Sequence, residues 1–484
     1  MKKAKFNNFI SSTEEIRESK SQSILLLLSV CTGAFLSHFS AGFVNIALSD
    51  IAIDYATNLT TTQWIVNGYL LSIMLLLPLM GKLSDQYGKK KIHNLGYLFF
   101  AAGACASAIS PNILFLIVAR ILQGSGAAML QAVNMAIVTD AYPKEHRGKA
   151  LGIISTSVGI GALLGPSVGG FVMEYSSWHL LFWTVVPISV GAYFLAQKYI
   201  PKDKTFQSST LDVMGSLLFG IATVSFVFVL NTIGKGELHF YLIILMLISL
   251  SSFICFFFHT KRVQNPFIEP TIFVSSIVRA GGLILIVSYG ATFASTVILP
   301  FYLRGVLGYS AEEAGLLLMC YPLFLAIVGP ISGSLSDRYG GVKVVFGGVG
   351  ILSLTMLALS FLTAHTSLFM LLFLFSLLGF AMGLLTSPNY SIMMLYTPVA
   401  YLGMMSSTIA LLRNIGMIIG TALAISFMNA WLEGTISQWM QHTSSAEVNA
   451  ALLGFHYLFL LLSFLLLLVG VYFFFTLHRS KEGK

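Results

Sequence analysis

The chain has 484 residues, 56% of them hydrophobic and 10% charged, with a mean hydropathy of +0.84 and a formal net charge of +8. A soluble domain carries about 25% charged residues, and no aqueous core of this size could absorb so much apolar surface. A soluble enzyme is therefore excluded by composition, and whether the positive charge speaks for nucleic acid depends on where it is placed.

Runs of about 18 or more apolar residues predict membrane helices. In chain order fourteen are placed, at 23–49, 62–80, 92–109, 113–138, 149–172, 179–199, 212–231, 239–258, 280–303, 311–333, 342–363, 367–390, 404–428 and 452–476. The polar stretch 1–22 reads as an N-terminal tail and 477–484 as a C-terminal one. The first span is too long for a signal-peptide core and shows no small-residue cleavage site, so it is expected to stay as a helix. Cys31, Cys105, Cys255 and Cys320 all fall inside spans, without metal or redox spacing, and read as small packing residues.

Lysine and arginine set the orientation. With the N-terminus inside, 23 of the 27 lie in inner segments, two (Arg120 and Arg413) lie within spans, and only Lys235 and Arg304 remain outside. Both termini are thus expected in the cytoplasm. The positive charge lines a membrane face, and nucleic acid is not an expected partner.

The connection between the second and third spans reads Gly81-Lys-Leu-Ser-Asp85-Gln-Tyr-Gly88-Lys-Lys-Lys91, and a near-copy, Gly333-Ser-Leu-Ser-Asp337-Arg-Tyr-Gly340, follows 252 residues later. Gly81 and Gly88 would permit a tight turn with close helix approach. Gly148 and Gly165 are 17 residues apart, as are Gly403 and Gly420, each pair on the fifth helix of its half. The spans at 212–231 and 239–258 have no counterpart. The expected fold class is therefore an all-α integral membrane protein of fourteen transmembrane helices: two pseudo-symmetric six-helix bundles (23–199 and 280–476) with linkers and a two-helix insert between them (200–279). Transporters built from repeats place their site between the repeats.

On the fourth span Arg120, Gln123, Gly124, Ala127, Gln131 and Asn134 share one face. A charge facing hydrocarbon is costly, so the stripe faces protein or a water-filled cavity, and the alternative is an arginine snorkelling to the outer interface. The fifth span carries Gly161-Ala-Leu-Leu-Gly165-Pro166-Ser-Val-Gly169-Gly170. Its glycines suit tight packing, and Pro166 adds a kink that the thirteenth span lacks, having Thr421 there. Arg413 lies nine residues into that thirteenth span, on the face of Gly416 and Gly420.

With the hairpin at Gly81–Gly88, the segment Arg120-Ile-Leu-Gln123-Gly124-Ser-Gly126-Ala-Ala128 and the Gly161–Gly170 segment in order, the chain resembles the major facilitator superfamily over essentially its whole length, specifically the fourteen-helix drug:proton antiporter branch. The resemblance implies a secondary active transporter, not an enzyme. It would export small, largely apolar organic compounds, drug-like or metabolite, across a bacterial plasma membrane by proton antiport with alternating access. The proton gradient is its energy source, with no cofactor and no metal, and its partners are the lipid bilayer and the cargo, acted on by a functional monomer. The export direction comes from the Gly161–Gly170 segment with Pro166. A proton-independent facilitator or a lipid or metabolite exporter of the same fold is the alternative. No P-loop supports an ATP-driven pump, and no selectivity ring supports a channel.

The resemblance also assigns roles. Gly81, Asp85, Gly88, Lys90, Asp140 and Asp337 form a conformational switch, with Asp140 a partner for Lys90 or Lys91. Asp85 there meets positive charge or a helix N-terminus and favours the outward-facing state. Gly161, Gly165, Pro166, Gly169 and Gly170 form the antiporter-type motif. Cavity residues are expected to be Arg120, Gln123, Gln131, Asn134, Asn67, Tyr289 and Arg413, with Gln63, Thr292 and Tyr321 as further candidates. The family pattern places an acid five positions before the asparagine of N-x-A-L, and here, before Asn45-Ile-Ala47-Leu48, that position is Ser40. No Asp or Glu lies deep inside a span. His38, with an unperturbed pKa near 6.5, is the substitute expected to carry the proton, while Asp50, Glu312 and Glu313 stand at the outer ends of helices.

Overall fold

The computed structural model describes residues 2–142, 144–203, 212–233, 240–264, 266–268, 270–397, 402–431 and 445–482. Within them the chain is all helix and connections, with no strand. The first half runs α1 (Lys2–Asp54), α2 (Trp64–Tyr87), α3 (Lys89–Ala108), α4 (Ile113–Ala141), α5 (Lys144–Tyr175) and α6 (Trp178–Tyr199). The insert is α7 (Val213–Ile233) and α8 (Phe240–Thr260). The second half runs α9 (Ser276–Phe301), α10 (Ala311–Leu318 and Cys320–Tyr339), α11 (Gly341–Leu359), α12 (Leu368–Leu395), α13 (Leu402–Trp431) and α14 (Ser445–Glu482). Thirteen of these helices are long and apolar enough to cross a membrane. α3 makes the fourteenth by length, and it opens on Lys89, Lys90 and Lys91.

The two halves repeat the same packing. α1 packs on α5 as α9 packs on α13, α3 on α4 as α11 on α12, α2 on α4 as α10 on α12, and α3 on α6 as α11 on α14. The hairpin glycines repeat as well. Gly88 and Gly340 have φ of 98° and 89°, and each donates its N–H to the carbonyl four residues back, Ser84 and Ser336, at 2.9 Å. A side chain rarely adopts that φ, so glycine is dictated by the turn. The close approach expected of Gly81 does not occur: nothing stands within 4 Å of where its Cβ would be. Its smallness is not used in this arrangement.

Helix ends depart from expectation where hydrogen bonds extend them. α1 continues to Asp54, which brings Asp50 and Asp54 into its last turns, and Trp178 Nε1–H donates to Asp54 at 3.0 Å. Pro300 withholds a backbone donor near the end of α9, and the chain then passes through a π-helical turn, Tyr302–Val306, to Gly308 at φ 70°. α10 restarts with a capping box: the Ser310 hydroxyl accepts from Glu313 N–H, and the Glu313 carboxylate accepts from Ser310 N–H.

The insert packs at the edge of the bundles. α7 lies against α2 and α13, while α8 lies on α7, with Ser249 donating to the Ala222 carbonyl at 2.8 Å. Where α7 begins, the buried Asp212 carboxylate gathers three donors: Gly215 N–H and Phe267 N–H at 2.8 Å each, and His259 Nε2 at 2.7 Å. Burial opposes its ionisation, but the His259 contact and the two backbone donors outweigh that and hold the carboxyl below the usual range. One side chain thus pins the start of α7, the end of α8 and the linker toward the second half.

Candidate functional site

Between the halves lies a cavity of about 150 Å³. α1 faces it with His38, Ala41, Gly42, Asn45 and Ile46, whose spacing of three and four is one helical face. α5 contributes Val158, Gly159, Ala162 and Pro166. The second half supplies Tyr289, Phe293, Thr296 and Leu299 from α9, Leu318, Tyr321, Pro322 and Leu325 from α10, Phe375 and Leu378 from α12, and Arg413 and Met417 from α13. The walls are mostly apolar, and no Asp or Glu lies among these residues.

A few polar groups converge on that wall. The His38 Nδ1–H donates to the Ala34 carbonyl at 3.0 Å, which leaves Nε2 as the acceptor of the neutral ring. The Asn45 Oδ1 is buried without a hydrogen-bond partner among the described residues, as is the Nε of Arg413. The Arg413 guanidinium stands 6.0 Å from the Tyr289 ring centroid, and the Tyr289 and Tyr390 hydroxyls are 2.9 Å apart. Pro166 cannot donate to the Ala162 carbonyl one turn back, and both residues line the same wall.

His38, Tyr289, Tyr321 and Arg413 of the expected set meet in this cavity; Arg120, Gln123, Gln131, Asn134 and Asn67 do not line it. Arg120 is 1% exposed and belongs to the interior of the first half. It donates to the Ile65 carbonyl (3.3 Å), the Ser40 hydroxyl (2.9 Å) and Gln123 Oε1 (2.6 Å), and its guanidinium stacks 4.1 Å from the Tyr69 centroid. Gln123 donates to the same Ser40 at 3.2 Å. Ser37 accepts from Tyr69 (3.3 Å) and Gln131 (2.6 Å). The position where the family pattern has an acid is thus spent on holding a buried arginine with a hydroxyl, and this network ties α1, α2 and α4 together. Snorkelling is excluded by the burial. Asn134 is buried, as are Gln63 just before α2 and Asn67 on it, whose amide atoms have no partner among the described residues. Thr292 is buried and returns its hydroxyl to the Ser288 carbonyl at 2.8 Å.

The glycine motif of α5 divides by what it touches. A Cβ on Gly161 would stand 2.5 Å from the Phe35 carbonyl oxygen, on Gly165 2.9 Å from Phe39 O, and on Gly169 3.0 Å from Phe43 Cβ, all on α1. On Gly170 it would stand 2.3 Å from the Ala311 carbonyl oxygen of α10, in the other half, and Gly315 repays the contact at 2.5 Å from Pro166 O. On this same side, Arg304 grips Asp50 with both terminal nitrogens and donates to Ser49 Oγ at 2.8 Å, and Tyr175 donates to Glu312 at 3.3 Å. The halves are therefore clasped above the cavity, on the side that the lysine and arginine count assigns to the outside. The Asp50–Arg304 pair, 254 residues apart, was missed by sequence reasoning. Its one signal was that Arg304 is among the two basic residues left outside.

At the opposite face, Lys89, not Lys90 or Lys91, pairs with Asp140. Successive residues at a helix start point about 100° apart, so Lys89 meets the end of α4 while Lys90 turns toward the end of α6, its N–H donating to Asp203 at 3.2 Å. The side chains of Asp85 and Asp337 lie outside the described residues.

Comparison with known proteins places this geometry. The family model described as Major Facilitator Superfamily matches residues 30–287 and 281–484. The chain is 31% identical over 431 residues to the riboflavin transporter RibZ of Clostridioides difficile, covering 89% of this chain and 93% of that one. It is 27% identical to the multidrug resistance protein Stp of Mycobacterium tuberculosis, covering 86% and 78%. Among solved structures, a bacterial homolog of the human lysosomal transporter Spinster superposes with a TM-score of 0.64 at 15% identity, over 94% of this chain and 97% of that one, a likeness of fold.

Proposed function

The chain belongs to the Major Facilitator Superfamily, and from that premise we propose that it exports a small, largely apolar organic compound from the cytoplasm in exchange for protons. In this reading it works as a monomer in a bacterial plasma membrane with both termini inside, and the two halves rock about the central cavity. The observation that carries the proposal is the make-up of the cavity wall: apolar side chains with one imidazole, one guanidinium, and no carboxylate. Apolar walls supply affinity, and a few placed polar groups supply orientation. Arg413 favours neutral, zwitterionic or anionic cargo, because a cationic one would meet a like charge with nothing to offset it. His38 is the one cavity-facing group whose ordinary pKa lies in the physiological range, which makes it the proton carrier of this mechanism. Arg120 clamps the first half and acts on transport through its rigidity. A cavity of about 150 Å³ is below the roughly 300–1,000 Å³ of small-molecule pockets, so cargo occupies it as the halves part.

A metabolite facilitator is the second reading, favoured by the 31% identity to a protein named as a riboflavin transporter. A planar, uncharged ring system would stack between Tyr289 and Tyr321 with Arg413 at its polar edge. Proteoliposome flux separates the two. Efflux of a neutral hydrophobic dye that accelerates with an imposed pH gradient supports antiport. Riboflavin flux indifferent to pH, with no dye efflux, would replace it by facilitation.

A further inference from the structure

We propose that the groove between the start of α3 and the end of α6, on the lysine-rich face, is a binding site for an anionic phospholipid of that leaflet, its phosphate held by Lys90 and Lys202. The groove is a second cavity, of about 410 Å³, remote from the one between the halves. Lys90, Lys91 and Lys202 line it, with a single carboxylate, Asp203. That carboxylate is already committed, since it accepts from the Lys90 backbone N–H at 3.2 Å and so caps the exposed end of α3. Lys91 leans over the Tyr87 ring at 5.6 Å. Lys90 and Lys202 line the groove together, with no ion pair among the described residues. Burial, and then the Lys202 charge, only partly answered by Asp203, push the Lys90 ammonium below the usual lysine range.

Two further features select a lipid over a soluble anion. The groove is not polar throughout: Leu95, Leu98 and Tyr193 form its membrane-ward wall, and Leu98 is 43% exposed, so an acyl chain can leave the phosphate along an apolar surface. Asn94, which also lines the groove, is 6% exposed and donates its amide N–H to Gln197, while its Oδ1 has no hydrogen-bond partner among the described residues. A buried acceptor of that kind lacks a donor, which a hydroxyl-bearing headgroup such as glycerol would supply. The site adjoins Gly88 and the Lys89–Asp140 pair, so the lipid would brace the α2–α3 hairpin against the end of α6.

The test uses the full-length protein, purified and delipidated, with retention of phosphatidylglycerol against phosphatidylcholine read by native mass spectrometry. Attraction of basic residues to anionic lipid corresponds to about fivefold in affinity per lysine. Replacing both groove lysines (Lys90→Gln with Lys202→Gln) is therefore expected to weaken phosphatidylglycerol retention about thirtyfold and leave phosphatidylcholine unchanged. Lys90→Arg with Lys202→Arg should retain the lipid, which separates loss of the site from loss of the fold. Two results overturn the proposal. One is an equal loss in Lys261→Gln, a basic residue on the insert. The other is full displacement of the lipid by millimolar inorganic phosphate, which would make the groove a site for a free anion.

Discussion

Replacing Gly170 by alanine should hold the two halves apart on the outer side. The added Cβ would stand 2.3 Å from the Ala311 carbonyl oxygen, about 1 Å inside ordinary contact, and the obstacle is backbone, which cannot swing aside as a side chain can. Overpacking of this kind costs about 1–3 kcal/mol. Because Gly170 and Ala311 belong to different halves, the cost falls only on the outer-closed state, so the equilibrium shifts toward outer-open by about 5- to 150-fold. Gly161→Ala is the matched control. Its Cβ would meet Phe35 O at 2.5 Å within one half, in every state, and it should lower stability without redistributing states. The assay is labelling of Thr296→Cys, on the cavity wall, by a membrane-impermeant maleimide from outside, in a background lacking the native cysteines. Gly170→Ala should speed labelling about fivefold or more. Unchanged labelling in a folded Gly170→Ala protein, or the same increase from Gly161→Ala, would refute the division of the motif into scaffold and closure contacts.

The Asp50–Arg304 pair also crosses the halves, so Arg304→Ala should raise outside labelling of the same reporter by about 5- to 100-fold, and exchanging the two charges should restore the wild-type rate. Arg120→Ala should lower thermal stability, by about 3 kcal/mol or more given a fully buried, hydrogen-bonded charge, while cargo affinity measured on the folded fraction stays within a few-fold; a selective loss of affinity would return Arg120 to the substrate site. His38→Ala should flatten the pH dependence of efflux, and undiminished proton-coupled efflux would move the proton to Asp50, Glu312 or Glu313. Asp212 is held below its unfolded carboxyl value of about 3.9, so its contribution is complete above that pH and is lost as pH falls through the lower folded value. Thermal unfolding followed from pH 7 to pH 3 should show a smaller acid-side loss in Asp212→Asn than in the wild type.

The helices were legible because hydropathy and the lysine count respond to the bilayer, a solvent that acts on every residue of a span. The direction of a polar stripe was less so. Arg120, Gln123 and Gln131 had to face protein, but the cost of exposing them to lipid is the same whether they turn to a cavity or to neighbouring helices. Only the packing of α4 on α1 and α2 decides between the two. The glycines of α5 posed the same problem: smallness announces a close approach and does not name the partner, so Gly169 on α1 and Gly170 on α10 read alike. The pairings Asp50–Arg304 and Asp212–His259 join residues far apart in the chain, and no periodicity carries that information. His38 and Arg413 were found because a titratable or charged group deep in an apolar span calls for a polar surrounding.

The seams inside each half are made of backbone against backbone. Gly161 and Gly165 lie on α1, and in the second half Gly416 meets Ile286 and Gly420 meets Gly290 so closely that an added Cβ would stand 2.4 Å and 2.0 Å from the respective carbonyl oxygens. The cavity wall draws mostly on side chains such as Phe293, Leu325 and Met417. Rigidity and selectivity are thereby written in different atoms. A lineage can exchange the wall residues and try new cargoes while the moving bodies keep their shape, whereas a single methyl at a seam glycine is charged against every state at once. Evolvability in this chain is concentrated on the faces that line the cavity, where the side chain does not set how closely two backbones approach.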